Sequence, residues 1–313
     1  MTNGRDRHRI AFWGTPAIAV PSLNAFVAAP DFEVVAVVTN PDRPRGRSRD
    51  PKPPPVKLAA RDNGLEVLQP NRPAEIVEDL ERLELDASAV VAYGAILPAA
   101  VLAASGSGFV NLHFSLLPRW RGAAPVQHAI REGDTVTGVT TFVLDEGMDT
   151  GPVLAREEVP IGNQETAGSL LDRLAAVGAP LLVESLRKWL AGADPTPQPT
   201  EGATIATKIG REDVAIDWSA PAAVVANLVR SANPAPGAHT TYQGDTLKVW
   251  RAVPVDGEGQ PGQIVDTTPD GPVVATGAGA VRLEELQPAG KARMGGGDFV
   301  NGYQPEPGER LGP

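Results

Sequence analysis

Phe32-Glu33-Val34-Val35-Ala36-Val37-Val38-Thr39 decides the reading of the fold. The run is dense in valine and hardly alternates, as does a strand buried on both faces of a parallel sheet. Upstream, Ile10–Trp13 is a short apolar run ending in Gly14-Thr15-Pro16, a strand-to-helix turn where Thr15 is placed to cap and Pro16 to begin a helix. Downstream, the pattern predicts a helix over 56–63 closed by Gly64, a strand over 65–68, a helix over 74–83, and buried strands at 88–92 and 109–112. Strand and helix alternate, so residues 1–190 are expected to form a Rossmann-like, mostly parallel α/β sheet domain. The lone Gly14 does not make a G-x-G-x-x-G fingerprint, and no dinucleotide site is expected there.

Further along, 138–144 and 153–159 read as an antiparallel pair bracketing the loop Asp145–Gly151. A helix over 166–190 carries Leu170, Leu174, Val177 and Leu181 at helical spacing, which reads as a core face. Residues 191–207, rich in proline and threonine, read as an interdomain linker. From 208 to 313, short strands at 240–242, 247–253, 262–266, 273–276 and 280–286 are punctuated by glycine turns, predicting a small OB-like β-barrel domain.

Composition narrows the chemistry. At 313 residues the chain exceeds what one core usually fills, which agrees with two domains. It has no cysteine, and its four histidines, His8, His113, His128 and His239, show no ligand spacing, so no metal site is expected. The formal charge of −10 argues against generic nucleic-acid binding, and any contact to RNA has to be local. No apolar run approaches a membrane span and no signal-peptide core precedes Ile10, so a cytoplasmic location and no membrane contact are expected.

Ligands of open α/β sheets bind beyond the carboxyl ends of the strands, which puts Gly14, Tyr93–Leu97 and Asn111–His113 around one crevice. Asn111 and His113 are two apart on a strand, so both side chains point to one face. Asp149 follows in the glycine-flanked turn Gly147-Met148-Asp149-Thr150-Gly151. An amide, an imidazole and a carboxylate suit acyl transfer without a protein nucleophile: the amide and a protonated imidazole steady an oxyanion, and the carboxylate favours the charged ring and takes a proton. Taken singly, a histidine at a strand end is commonly structural and Asp-Thr-Gly is a common turn. One Asp-Thr-Gly cannot supply the dyad of aspartic proteases, and Ser115 lies outside any G-x-S-x-G elbow. Residues 40–55 hold Arg43, Arg45, Arg47, Arg49 and Lys52 among many prolines, which read as a long basic loop without regular structure. It is either a solvated insertion or an arm that seeks phosphate.

The run Asn111-Leu112-His113, Ser115-Leu116-Leu117-Pro118-Arg119-Trp120-Arg121-Gly122-Ala123-Ala124-Pro125 and Asp145-Glu146-Gly147-Met148-Asp149-Thr150-Gly151 resembles the methionyl-tRNA formyltransferase family. Similarity extends to Gly14-Thr15-Pro16, Asn40-Pro41-Asp42-Arg43-Pro44, Pro55-Val56-Lys57, Val91-Ala92-Tyr93-Gly94, Ile216-Asp217-Trp218, Asn233-Pro234 and Gln287-Pro288-Ala289-Gly290-Lys291. Phe114 and Ala235 depart from the family pattern. The resemblance implies transfer of a formyl group from 10-formyltetrahydrofolate to the methionyl amine of initiator tRNA, with Asn111, His113 and Asp149 catalytic and no metal. It implies that folate lies along Val91, Tyr93, Gly94, Ile96, Leu97, Ser115, Leu116, Leu117, Pro118, Asp145 and Gly147. It further implies that tRNA meets Arg43, Arg45, Arg47, Arg49 and Lys52 on the basic insertion, with Arg47 matching the family's Gly-Arg pair, and Lys208 and Arg211 at the carboxy-terminal barrel. A monomer is expected. The alternatives are a formyltransferase acting on a sugar nucleotide or another small amine, and a non-catalytic RNA-binding relative.

Overall fold

The apolar runs that decide the first domain become strands covered on both sides. The computed structural model describes residues 6–44 and 50–312; Arg45, Arg47 and Arg49 lie outside them. The chain packs as two compact units, one holding the residues up to Ala123 with Thr137–Val159 and Leu171–Ala206, the other Ala124–Val136, Pro160–Leu170 and Thr207 onward.

In chain order the first elements are β1 (His8–Gly14), α1 (Val20–Ala28), β2 (Phe32–Val38), β3 (Arg43–Pro44), β4 (Pro51–Lys52), α2 (Pro55–Asp62), β5 (Val67–Leu68), α3 (Val77–Arg82), β6 (Ala87–Val91), α4 (Ala99–Leu102) and β7 (Phe109–His113). There follow β8 (Arg121–Gly122), α5 (Pro125–Arg131), β9 (Val136–Val143), β10 (Val153–Pro160), α6 (Ala167–Leu190) and β11 (Ile205–Ala206). A seven-stranded sheet has the order β10-β9-β7-β6-β1-β2-β5. Pairing is parallel from β5 through β7, and β9 runs antiparallel to β7. All five residues of β6 and of β7 are buried, the polar Ser88, Asn111 and His113 among them.

The chain runs from β1 outward to β2 and β5, then returns to the other side of β1 for β6 and β7. That reversal makes a topological switch point between β1 and β6, the place beyond the strand ends where open α/β sheets bind ligands. There Gly14 pairs with Val91, and a Cβ on Gly14 would lie 3.0 Å from the Val91 carbonyl oxygen. Beneath it the fully buried Trp13 packs edge-on against Tyr93 and Phe109, with ring centroids at 5.1 and 5.5 Å.

Several local expectations are corrected. Thr15 caps no helix: Pro16 leads into a short 3-10 turn, Ala17–Ala19, and the Thr15 hydroxyl donates to the Tyr93 carbonyl at 3.2 Å. The basic loop is not wholly irregular, because Arg43 and Pro44 pair with Lys52 and Pro51 in a two-residue antiparallel ladder. On α6 the buried stripe is Leu170, Leu174, Ala175, Ala179, Leu182, Val183 and Leu186; Val177 and Leu181 are half-buried beside it. The stripe is shifted because the helix approaches β7 through Gly178, where a Cβ would fall 2.7 Å from Leu112 Cδ2.

Residues 191–206 carry more structure than a linker composition foretells. Thr196 exchanges both backbone hydrogen bonds with Val153, at 2.7 and 2.8 Å, and β11 pairs in parallel with β8.

In the second unit the elements are α7 (Ala222–Ser231), β12 (Ala238–Tyr242), β13 (Asp245–Val255), β14 (Ile264–Thr268), β15 (Gly271–Ala275), β16 (Ala280–Pro288), β17 (Met294–Gly295) and α8 (Gly296–Tyr303). The sheet order is β12-β13-β16-β15-β14, with β17 added on β16. Its ladder does not close into a barrel: the terminal segment instead bridges Leu311 to Tyr242 of β12 and Arg310 to Gln263 ahead of β14. Ahead of α7 the chain makes one isolated bridge, Ala215 to His239, and α8 was not foreseen. Phe299 of α8 is 1% exposed and packs with Tyr242 and Tyr303, so the helix plugs this core.

Phe142 of β9 is fully buried with Leu117, Leu144 and Val153, and its ring stands edge-on to His113 at 6.5 Å. Phe142→Ala is expected to lower stability by about 3–5 kcal/mol in urea unfolding.

Candidate active site

β7 carries the first two site residues because a strand places positions i and i+2 on one face. Asn111 is 9% exposed and His113 6%. No described residue hydrogen-bonds the Asn111 side-chain amide. Buried polar groups are ordinarily paired, so this amide is available to a ligand. The imidazole is held on two sides. Its Nε2 lies 2.8 Å from the Trp120 carbonyl oxygen, which can only accept, so Nε2 carries a proton. Nδ1 lies 3.7 Å from Asp149 Oδ2, within reach of charge but beyond a hydrogen bond.

Both flanking residues are in the left-handed region, Trp120 with φ 61° and Asp149 with φ 54°. Each is held from outside. The Trp120 amide donates to Thr204 Oγ1 at 2.9 Å, and the Gly122 amide donates to Asp149 Oδ2 at 2.8 Å. Thr204 and β11 thus seat the segment Trp120–Gly122, which in turn seats both His113 and Asp149. The Asp149 backbone carbonyl accepts the Gln198 amide at 2.9 Å. Gln198 and Thr204 lie in the stretch read as a linker, where nothing in the sequence pattern distinguishes them.

The residues expected along the folate have different fates. Ile96 is 78% exposed and Met148 48%, two large apolar side chains facing solvent on the loops at the crevice rim. Gly94, with φ 84°, lets the first of these loops turn back. The Tyr93 carbonyl accepts from both Thr15 and Asn40, the latter at 3.0 Å, and the Tyr93 ring is buried, where desolvation raises its pKa. Leu97 and Leu117 are core, Val91 is fully buried in β6, and Leu116 is half-buried beside Gly138. Ser115 is fully buried, its hydroxyl on the Arg119 carbonyl at 2.6 Å, and its own carbonyl accepts Thr140 Oγ1. Thr140 Oγ1 also accepts the Leu117 amide, so residues 115–117 are fixed ahead of Pro118. Asp145 closes its own loop by accepting the Gly147 amide and the Thr150 hydroxyl. Most of these side chains are therefore buried or spent on local hydrogen bonds, while those of Ile96 and Met148 are exposed. Phe114 is buried.

At the root of the basic insertion, Lys57 Nζ binds both Asp42 oxygens at 2.7 and 2.8 Å and Gln69 donates to Oδ1. The Lys57 ammonium, then Gln69, hold the Asp42 carboxyl below its usual range. This contribution is present above the ordinary aspartate range and is lost as pH falls below it. Arg43 and Lys52 stand directly opposite each other, exposed, a like-charge pair that an anion would relieve. In the second unit Lys208 and Arg211 are exposed. Burial, then Arg211 and Lys248, push the His239 pKa down, and Lys248 and Arg293 approach the Trp250 ring at 5.2 and 3.5 Å. Arg251 is instead paired with Glu284 at 2.9 Å. Among the described residues no group of three or more His, Asp or Glu is arranged to hold a metal, and no helix is long and apolar enough to cross a membrane.

Comparison with known proteins fixes the class. A family model described as formyl transferase matches residues 8–186, and one described as formyl transferase, C-terminal domain, matches 208–304. The chain is 48% identical over 306 residues to the methionyl-tRNA formyltransferase of Aromatoleum aromaticum, covering 97% of this chain and 96% of that protein. It is 45% identical over 309 residues to that of Streptomyces coelicolor, covering 97% and 99%. The chain belongs to the methionyl-tRNA formyltransferase family. A structure of HypX from Aquifex aeolicus in complex with tetrahydrofolic acid is similar in fold, with TM-score 0.63 at 19% identity over 95% of this chain, which spans 48% of that one.

Gly122 has φ 115°, and a Cβ there would meet the Ala206 carbonyl oxygen at 2.7 Å. Gly122→Ala is therefore expected to unseat β8 from β11 and to cost about 1–3 kcal/mol in urea unfolding, in line with backbone strain at an L residue.

Proposed function

We propose that the protein transfers the formyl group of 10-formyltetrahydrofolate to the amino group of methionyl initiator tRNA. The observation that carries this reading is the near full-length match to methionyl-tRNA formyltransferases; the buried Asn111 and His113 two apart on β7, with the Asp149 carboxylate 3.7 Å from the His113 ring, support it.

The co-substrate supplies an activated formyl carbon, and two features fit it: an unpartnered buried amide at Asn111 and the exposed apolar side chains Ile96 and Met148 on the rim. The methionyl nitrogen attacks the formyl carbon. The Asn111 amide donates to the oxygen as it gains charge, usually the largest catalytic contribution in acyl transfer. With His113 Nε2 committed to the Trp120 carbonyl, Nδ1 is the ring atom left to exchange a proton. Nδ1 and the Asp149 carboxylate together receive the proton that the amine loses, and the carboxylate steadies the imidazolium so formed. As the carbon–nitrogen bond to folate breaks, that proton goes to the departing nitrogen, giving tetrahydrofolate and the formylated aminoacyl-tRNA. Thus no covalent protein intermediate is needed.

The basic insertion rooted at Asp42 and Lys57 is the arm that meets the acceptor end of the tRNA, with Arg43 and Lys52 opposed at its base. Arg45, Arg47 and Arg49 extend that charge along the sequence. Lys208, Arg211, Lys248 and Arg293 supply local positive charge in the carboxy-terminal unit of an otherwise acidic protein. The reading includes a catalytic amino-terminal domain, a tRNA-holding carboxy-terminal domain, a monomeric state and a cytoplasmic location.

Purified protein with 10-formyltetrahydrofolate and charged initiator tRNA is expected to yield formyl-methionyl-tRNA; no product with an active folate stock would reject the reading. His113→Ala should lower kcat by about 100-fold or more, the scale of acid–base catalysis. Arg47→Ala should raise the KM for tRNA while leaving the KM for folate unchanged, and equal loss for both would reject the arm assignment.

A further inference from the structure

Gln198 sits half-buried between two anchored stretches, Thr196 on Val153 and Thr204–Ala206 on Trp120–Ala123. Its side chain makes four hydrogen bonds, all within reach of one amide plane. The oxygen Oε1 accepts from Arg121 Nε at 3.1 Å and from an Arg121 terminal nitrogen at 2.7 Å. The nitrogen Nε2 donates to the carbonyl oxygens of Asp149 at 2.9 Å and Gly151 at 2.8 Å. A guanidinium only donates and a carbonyl only accepts, so the amide fits in one orientation. The two ends of Gln198 therefore tie together the two segments that flank the imidazole. One is the Trp120–Gly122 strand, whose carbonyl holds His113 Nε2. The other is the left-handed turn that aims Asp149 at Nδ1.

We infer that Gln198 is a positioning residue for formyl transfer: it fixes the distance between Asp149 and His113 by clamping the Asp149 turn to Arg121. This rests on the function proposed above. The side chain touches neither Asn111 nor His113. It acts through Asp149, whose left-handed backbone, φ 54°, is a region that L residues other than asparagine and aspartate rarely occupy and that the clamp holds from its carbonyl side. Alanine removes both halves of the clamp. Glutamate keeps the shape and the Arg121 contact, but places a carboxylate oxygen against two carbonyl oxygens, with no donor left for the turn.

The test is a set of variants of the full chain: Gln198→Ala, Gln198→Glu, Asp149→Asn and the double variant Q198A/D149N. In steady-state formylation, Q198A and Q198E should each lose about 10- to 100-fold in kcat, the scale of a small misplacement of reacting groups, with both KM values within about threefold of wild type. In the Asp149→Asn background, Q198A should cost less than about twofold further, because the group it positions is gone. A purely structural role would instead cost the same factor in both backgrounds. Either wild-type kcat in Q198E, or an undiminished effect of Q198A on top of Asp149→Asn, overturns the inference. Hydrogen–deuterium exchange of residues 145–151 gives a reading independent of turnover. Exchange there should rise in Q198A and Q198E, and unchanged protection would overturn the clamp. Failure of the wild type to formylate while this protection depends on Gln198 would count against the proposed function and not against the clamp.

Discussion

The site depends on holding two non-glycine residues, Trp120 and Asp149, in a backbone region that L residues avoid at a cost of about 1–2 kcal/mol each. Each is fixed by two hydrogen bonds. The Trp120 amide is taken by Thr204 and its carbonyl by the His113 ring; the Asp149 carboxylate takes the Gly122 amide and its carbonyl takes Gln198. These contacts turn the Trp120 carbonyl toward one ring nitrogen and the Asp149 carboxylate toward the other. Neither the histidine on its strand nor the aspartate in its turn is placed by its own segment alone. The flanking glycines permit the approach: a Cβ on Gly151 would lie 1.8 Å from the Val143 carbonyl oxygen.

The sheet sets where this arrangement stands. The chain reverses direction across β1, and the loops after β1, β2 and β6 meet at the Tyr93 carbonyl, which Thr15 and Asn40 both bind. Much of the motif that marks the family therefore does structural service. Thr15 and Asn40 tie the rim, Ser115 and Thr140 fix residues 115–117, and Arg121 reaches to Gln198. A smaller set is not spent in this way and is the candidate set for substrate: Asn111 with its unpartnered amide, the His113–Asp149 pair, and the exposed Ile96 and Met148. Division of labour of this kind suits acyl transfer in a chain without cysteine: under the proposed function, the charge that develops in the reaction meets fixed donors in a buried setting.

Local pattern served best where a strand is wholly buried. β2 and β6 are legible as valine- and alanine-rich runs and β1 and β7 as short apolar ones, and their alternation with helices is enough to predict a parallel sheet. It served less well where polar side chains are spent on distant backbone. Thr15 has the sequence context of a helix cap but donates to a carbonyl 78 positions away. The stretch 191–206 has a linker's composition, yet its backbone pairs with two separate segments. Prolines and threonines disfavour regular structure locally, and say nothing of which partner strand is waiting. The open carboxy-terminal sheet follows the same rule, since spacing predicts its strands while the terminal segment that spans β12 and the entry to β14 has no periodic signal.

The sequence by itself determined the α/β class and the family, and singled out Asn111, His113 and Asp149 as candidates, because periodicity and motif are local properties of the chain. Only the tertiary structure decided that His113 donates through Nε2 to Trp120, that Asp149 faces Nδ1, and that Gln198 and Thr204 hold both sides of that pair. Those choices rest on hydrogen bonds that span from 7 to 84 positions of sequence, and a bond between distant segments exists only once the fold has brought them together.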